Sequence, residues 1–451
     1  MRRYPDRMPT RRTFARTAAL ALTAASYQRI LGANERVRLG FIGVGNRGSS
    51  LLEATKEYAD QQIVAVCDLV DGLVDHAAEA AGTNPARFKD FRDLLDQPDV
   101  DAVVIATPDH WHALMMIGAC RAGKDVYVEK PLSLTVAEGR RMVEVAGETG
   151  RVVQVGIHRR SSPFCREAAE IVRGGGVGEV TSARCGVAIN QYPTGIGSPP
   201  DQQPPADVDW DLYLGPAPLV PYNENRHLYR FRWFYDYAGG QLTDNGVHFL
   251  DLIHWGLGQE RPRAVTALGG KYVLKDNRET PDTLQVLWEY PGPTLVNFIQ
   301  SSVNAAPFSA TRPFLAEFRG ALGTMYVYFD GWEIIPEQNV SEALPARGPL
   351  DPEAGRRYGD SAQPALEART GAGSADARLH IRNFLDCIKS REKPNCDVET
   401  AHRSTTAANI ALIAYKTRRQ LAWDAERERF SNEPRANELL SYQYRAPWSL
   451  D

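Results

Sequence analysis

Residues 37–48 read Val37-Arg38-Leu39-Gly40-Phe41-Ile42-Gly43-Val44-Gly45-Asn46-Arg47-Gly48. The first half is a short apolar run of strand character. It passes directly into a Gly-x-Gly-x-x-Gly loop, after which residues 49–60 place Leu51, Leu52 and Ala54 on one helical face. Each glycine has a mechanical reason. Gly43 permits the tight turn, Gly45 lets backbone approach a pyrophosphate, and Gly48 lets helix and strand pack closely. A second strand, Gln62–Cys67, ends at Asp68, 20 positions after the last glycine. Strand, glycine loop, helix and late carboxylate together form a dinucleotide-binding fingerprint. The helix start offers free N–H groups and a positive dipole end to the phosphates. The cofactor contacts read here are Gly43, Gly45, Asn46, Arg47, Gly48 and Asp68. The Asp68 carboxylate suits ribose hydroxyls and repels a 2′-phosphate. NAD is therefore expected in preference to NADP, with Arg47 the residue able to offset that repulsion.

The alternation continues through helix Val70–Ala81, strand Asp101–Ala106, helix Trp111–Ala122, strand Lys124–Val128, helix Leu134–Gly147 and strand Val152–Gly156. This rhythm predicts a Rossmann doubly wound parallel sheet with helices on both faces, in residues 34–157. Beyond residue 157 the rhythm changes. A helix is expected at Cys165–Arg173 and a long Pro/Gly/Asp-rich loop over 192–222. Five β-type runs follow, Ala264–Leu268, Thr283–Tyr290, Thr294–Ser301, Phe314–Phe318 and Thr324–Phe329, with short turn-rich connections. They predict a mostly antiparallel sheet. Residues 341–375 read as a mobile polar excursion, and Asp376–Ser390 and Glu399–Leu421 as closing helices. The fold class is α/β. An N-terminal Rossmann doubly wound parallel sheet is followed, over 158–451, by a C-terminal α+β domain with a large, mostly antiparallel open sheet.

A net charge of −4 over 451 residues gives no reason to expect nucleic acid. The six cysteines, at 67, 120, 165, 185, 387 and 396, lack CxxC or metal-ligand spacing. Buried free thiols and no metal site are expected, with disulfides the alternative in an exported protein. Residues 1–33 form a tail of their own. Thr10-Arg11-Arg12-Thr13-Phe14-Ala15-Arg16 precedes a short apolar run, Thr17–Ala25, and resembles a twin-arginine export signal. The run is too short to span a bilayer. Leu31-Gly32-Ala33 is a poor cleavage site. An exported, periplasmic protein is expected, with a disordered basic tail on a cytoplasmic protein as the alternative.

Glu129-Lys130-Pro131 ends the fourth predicted strand. Ligands of open α/β sheets bind outside the carboxyl ends of strands, so Lys130 points at the crevice. A cis bond at Pro131 would aim it, although an isolated surface lysine reads the same way. Further on, Gly239-Gly240 precedes Thr243-Asp244-Asn245-Gly246-Val247-His248. Asp244 and His248, four apart, share one helical face. They suit an acid/base pair near neutral pH, or equally a helix-capping aspartate beside a buried histidine.

In this order, Gly43-x-Gly-x-x-Gly48, Ala106-Thr107-Pro108-Asp109-His110-Trp111-His112, Glu129-Lys130-Pro131 and Asp244-x-x-x-His248 resemble the Gfo/Idh/MocA family. It is named for glucose–fructose oxidoreductase, inositol dehydrogenase and a rhizopine-catabolism protein. Gln154–Arg160, Trp210–Pro216, Phe231–Phe234 and Ala446–Trp448 are similar to one exported bacterial branch of it. The resemblance implies an NAD(P)-dependent oxidoreductase that moves hydride between a nicotinamide and a sugar or polyol hydroxyl. It implies that Lys130 meets the reacting hydroxyl, that His248 is the general acid/base, and that Asp244 positions substrate and histidine. Thr107, Pro108, His110, His112 and Glu129, with Lys130, fall where the family lines its nicotinamide pocket. Trp111, His158, Arg159, Tyr235, Asp244 and His248 are the candidate substrate contacts. Arg159 and Arg160 suit an acidic sugar or a structural role. Asn245 departs from the tryptophan common in related exported members. Export implies a tightly bound cofactor recycled within each catalytic cycle. Two alternatives accompany this reading: a redox-assisted glycoside hydrolase or lyase of the same superfamily, and a non-catalytic sugar-binding protein. The implied partners are a sugar, polyol or glycoside and further copies of the chain, as a dimer or tetramer through the C-terminal sheet.

Overall fold

The computed structural model describes residues 36–292, 294–308, 312–339 and 363–450. The expected export signal and residues 341–362 of the expected excursion lie outside the described residues. Six strands form a parallel sheet in the order β3-β2-β1-β4-β5-β6. They are β1 (Val37–Ile42), β2 (Gln61–Cys67), β3 (Ala86–Phe88), β4 (Ala102–Ile105), β5 (Asp125–Val128) and β6 (Val153–Val155). The strand order reverses between β1 and β4, which opens a crevice at their carboxyl ends. β4 and β5 are buried along their whole length, as strands covered on both faces must be. The helix Val136–Thr149 starts at a complete capping box, Thr135 with Glu138, and stops at left-handed Gly150. β3 escaped the sequence reading. It is three residues long, lies at the sheet edge, and buries none of them.

The second sheet has ten strands in the order β16-β13-β12-β11-β7-β10-β9-β8-β17-β18. These are β7 (Val180–Ala188), β8 (Ala264–Gly270), β9 (Thr283–Tyr290), β10 (Thr294–Ser301), β11 (Ala316–Gly320), β12 (Gly323–Val327) and β13 (Gly331–Pro336), with β16 (Arg369–Ala372), β17 (Leu421–Asp424) and β18 (Arg429–Phe430). A separate pair joins β14 (Gln338–Asn339) to β15 (Gln363–Pro364). Within this sheet, among the described strands, only the β7–β10 pairing is parallel. In β9, Leu284, Val286, Trp288 and Tyr290 are buried while alternate residues face outward. The buried face packs on helices Pro163–Arg173, Gly246–Leu257 and Val398–Thr417. β7 lies centrally, yet its alternation of small and polar residues gave no strand signal. β15 and β16 correct the excursion expected over 341–375. Three of the four β16 residues are exposed, so that edge strand carries no apolar pattern. The expected helix Glu399–Leu421 ends at Thr417, where Arg418 turns left-handed (φ 56°), and Leu421 begins β17.

The chain then does something the alternation could not announce. Helix Ala377–Ser390 returns to the first sheet, burying Ile381, Phe384, Leu385 and Ile388 against Leu39, Phe41 and Tyr127. Arg391 closes on Asp125 at 2.5 and 3.0 Å. The Val155 N–H donates to the Cys396 carbonyl at 3.0 Å. All six cysteines are buried and free. Among the described residues no helix is long and apolar enough to cross a membrane, and no cluster of three His, Cys, Asp or Glu could hold a metal.

Candidate functional site

The glycine loop has the shape its sequence requires. Gly43 sits at φ 81°, and a Cβ there would press to 2.8 Å from the Ala106 carbonyl carbon. A Cβ on Gly48 would fall 1.9 Å from the Gly43 oxygen. At Gly45 the nearest atom to such a Cβ is Leu73 Cδ1 at 4.0 Å, so that side of the loop is open. Gly45 also begins helix Asn46–Lys56, which has no side-chain cap and no acidic residue in its first turn. Its N–H groups are left for an anion. Asp68 accepts from the Val44 N–H at 2.9 Å and the Val70 N–H at 3.2 Å. Burial raises its carboxyl above the usual range. An open backbone cradle, an uncapped helix start and a carboxylate at the end of β2 fit a dinucleotide.

A cavity of about 650 Å3 joins this loop to the second domain. Gly43, Gly45, Asn46, Arg47 and Asp68 line it, as do Thr107, Pro108, Trp111, Glu129 and Lys130 from the ends of β4 and β5. The second domain adds Tyr213, His227, Tyr229, Arg232 and Asp244. Arg47 Nε donates to Glu129 Oε1 at 2.7 Å. Glu129 fits because position 156 is glycine, where a Cβ would come within 2.6 Å of that oxygen.

The Lys130–Pro131 bond is cis. Lys130 Nζ donates to Asp244 Oδ1 at 2.5 Å and to the Asp244 carbonyl at 3.1 Å. Arg232 Nη1 donates to the other carboxylate oxygen at 2.6 Å, its guanidinium lying 4.0 Å over the Tyr229 ring. Burial pushes the Asp244 carboxyl up, but Lys130 and Arg232 outweigh it and the net shift is downward.

His248 sits on helix Gly246–Leu257, one turn beyond Asp244, but the two do not pair. Both Asp244 oxygens are taken by cations, against which a neutral imidazole cannot compete. The expected single helix is also two pieces, Gln241–Asp244 and Gly246–Leu257, joined at Asn245 in right-handed conformation. Asn245 itself donates to Gln241 Oε1 at 2.6 Å. The His248 ring meets His158 edge-on at 5.1 Å, and its Nδ1 is buried without a partner. Burial, then Arg159 and Lys130, hold the imidazole well below its ordinary value. Burial and Arg159 likewise push His158 down to about 2.

Seven expected contacts, Gly48, His110, His112, His158, Arg159, Tyr235 and His248, do not line the cavity wall. His110 is fully buried, with Nε2 3.1 Å from the Tyr213 carbonyl. His112 stands between the Pro131 carbonyl (2.7 Å) and the Thr107 carbonyl (2.9 Å), and so ties together the two loops that carry Pro108 and Lys130. Tyr235 packs against the second core with Lys416 Nζ 4.2 Å above its ring. Trp111 does line the cavity, anchored by donation to the Tyr213 carbonyl at 3.0 Å and by edge contact with Trp448 at 4.8 Å.

An oxidoreductase-family model with an NAD-binding Rossmann fold matches residues 37–157, and that family's C-terminal α/β domain model matches 171–268 and 322–450. The chain belongs to the Gfo/Idh/MocA family. A further C-terminal domain model of this family matches 220–326. Curated relatives include "Glycosyl hydrolase family 109 protein 1" of Shewanella sp. (strain ANA-3), 39% identical over 123 residues, which are 26% of this chain and 27% of that protein. The "Alpha-N-acetylgalactosaminidase" of Shewanella oneidensis matches with the same identity and shares. The chain thus spans about a quarter of the length of the curated relatives it matches. Among solved structures, the WlbA dehydrogenase from Bordetella pertussis in complex with NADH and UDP-GlcNAcA superposes with TM-score 0.60 at 17% identity, over 86% of this chain and 99% of that one. The aldose-aldose oxidoreductase from Caulobacter crescentus, complexed with glycerol, gives TM-score 0.60 at 18% identity over 86% and 100%. At such identities the likeness is one of fold.

Arg232 and Asp109, both on the cavity wall, went unnoticed in the sequence. Arg232 stood inside the quoted Phe231–Phe234 motif without a role. Asp109 stood inside Asp-His-Trp-His, where the histidines drew the attention. Asp109 opens helix Asp109–Arg121, is buried, and lines the cavity. Burial and the neighbouring Asp244 charge push it up to about 8. It is therefore a neutral acid at pH 7, and ionises as the pH rises through about 8. Wild-type turnover is expected to decline across that range. The Asp109→Asn variant, which mimics the neutral acid, is expected to keep its rate on the alkaline side. Parallel pH–rate profiles check this, and an identical alkaline limb in both proteins would refute it.

Proposed function

We propose that the protein is an NAD-dependent oxidoreductase acting on a sugar or polyol hydroxyl, with His248 as general acid/base. One observation carries the reading. Lys130, from the end of β5, and Asp244, from the second domain, meet at 2.5 Å on the wall of the same cavity that the glycine loop lines. A hydroxyl held there would find an ammonium donor whose charge is also felt at the buried His248 imidazole. When bound, the nicotinamide supplies the hydride acceptor. The protein's own part is to take the hydroxyl proton on the His248 imidazole while Lys130 Nζ stabilises negative charge growing on the oxygen. Asp244, itself braced by Arg232, fixes where Nζ stands. Trp111 and Tyr213 keep that wall dry.

The Asp68 carboxylate supports NAD over NADP, and so does the engagement of Arg47 by Glu129, whose side chain is only 5% exposed. The Asp68→Ala variant is expected to lose about 10- to 100-fold of its preference for NAD, the worth of hydrogen bonds to a charged group. Competitive binding of NAD and NADP to stripped protein measures it. The Thr10–Arg16 stretch supports export with the cofactor already held. Outward-facing Leu268, Leu287 and Leu295 on β8, β9 and β10 support assembly through the open sheet.

The deciding experiment is a panel of sugars, polyols and aryl glycosides on protein of known cofactor content. Sugar-dependent appearance of reduced-nicotinamide absorbance is expected. The names of the family 109 relatives favour a second reading, redox-assisted glycoside cleavage. Release of aryl alcohol from an α-N-acetylgalactosaminide without added NAD would replace the first reading by that one. Binding of sugars with neither outcome would leave a sugar-binding protein.

A further inference from the structure

The turn His158–Ser161 carries two adjacent arginines with opposite fates. Arg160 points inward. Its Nε lies 3.0 and 2.8 Å from the two Asp251 oxygens, and its guanidinium packs 5.2 Å over Trp255. That is a neutralised, structural cation. Arg159 has no carboxylate partner among the described residues, and its Nε is buried without a hydrogen bond. Its guanidinium carbon lies 5.9 Å from the Phe249 ring and 5.7 Å from the Phe329 ring. Phe249 is buried, whereas Phe329 is 53% exposed, so the group runs from the core toward an open rim.

The surroundings sharpen the contrast. The neighbouring cations of the site each touch a carboxylate, Arg47 that of Glu129, and Lys130 and Arg232 the shared carboxylate of Asp244. Arg159, which touches no carboxylate among the described residues, is the strongest charged influence on the His158–His248 pair. A guanidinium withdrawn from water without a counter-ion is costly unless something else supplies the anion. Its planar fork is shaped for a carboxylate or sulfate, which it grips through two parallel N–H donors.

We infer that Arg159 receives an anionic substituent of the substrate, a carboxylate or sulfate ester, and that the protein is selective for acidic sugars. The inference rests on the proposed role of His248, because it takes the ground beside that imidazole as the sugar site. A positively charged donor placed there selects among sugars by what they carry away from the reacting hydroxyl.

The test uses the full protein with its cofactor. Binding of glucuronate, galacturonate and galactose 6-sulfate is compared with that of glucose and galactose by calorimetry, at low salt. Wild-type protein is expected to hold at least one anionic sugar about tenfold or more tightly than its neutral counterpart, as a charge-assisted fork should. Arg159→Gln is expected to erase that margin, weakening the anionic sugars about tenfold more than the neutral ones. Equal or weaker binding of every anionic sugar by the wild type overturns the inference, and that comparison stands even if the variant fails to fold. Equal loss of neutral and anionic binding in Arg159→Gln overturns it too, since a structural arginine would act so. Cofactor reduction is read on the same samples. Anion-selective binding without reduction by any sugar sinks the oxidoreductase reading and leaves the Arg159 assignment standing. Reduction by neutral sugars without anion preference does the reverse.

Discussion

Lys130→Ala is expected to lower kcat by about 10²- to 10³-fold, the usual cost of removing one donor from a developing oxyanion. The loss should fall on kcat more than on KM, because the ammonium matters most when charge has built up on the oxygen. Bound cofactor should be retained, since the glycine loop and Asp68 do not lean on the Lys130 side chain. The fold should hold as well. Asp244 keeps its bond to Arg232 at 2.6 Å, so no buried carboxylate is stranded. Single-turnover reduction of the bound cofactor by a saturating substrate gives the measurement. A Lys130→Ala protein that turns over at the wild-type rate would remove the ammonium from the chemistry altogether.

His248→Ala is expected to cost about 10²- to 10⁴-fold, the range for loss of a positioned general base. The pH profile makes the test specific. Burial, Arg159 and Lys130 all depress the protonation of this imidazole, so its base form survives far below pH 6.5. Activity of the wild type should therefore stay level as the pH falls through 6.5, and decline only when the lowered pKa is reached. Removing Arg159 takes away the largest charge behind that shift, and the acid limb of Arg159→Gln should move upward. A wild-type acid limb centred near 6.5 would mean that the essential base is an ordinary, solvated histidine elsewhere.

The parallel sheet was legible because strands buried on both faces leave continuous apolar runs, as in Ala102–Ile105 and Asp125–Val128. Gly43 and Gly48 were legible because each meets a backbone constraint, and Gly45 because its side of the loop must stay open. β7 was not, because its partners lie more than a hundred residues away and its own residues alternate without bulk. Side-chain destinations were harder still. The spacing of Asp244 and His248 suggested a pair, yet the carboxylate belongs to Lys130 and Arg232, which arrive from other parts of the chain. His110 and His112 sit in the right motif, but His112 turns both ring nitrogens, and His110 its Nε2, to main-chain carbonyls. Asp109 owes its character to desolvation, which only the assembled cavity creates.

Helix Ala377–Ser390 has one more consequence, for the order in which the molecule comes into being. Tyr58 and Arg378 meet across 320 positions of chain, and Arg382 and Asp60 across 322. Contacts so distant in sequence are slow to find. During synthesis, the apolar surface over Leu39, Phe41 and Tyr127 stays bare until the ribosome has delivered more than four-fifths of the polypeptide. A nascent chain with that surface exposed is a natural client for a chaperone, and the nucleotide-binding half becomes a finished object only when the other half is nearly complete.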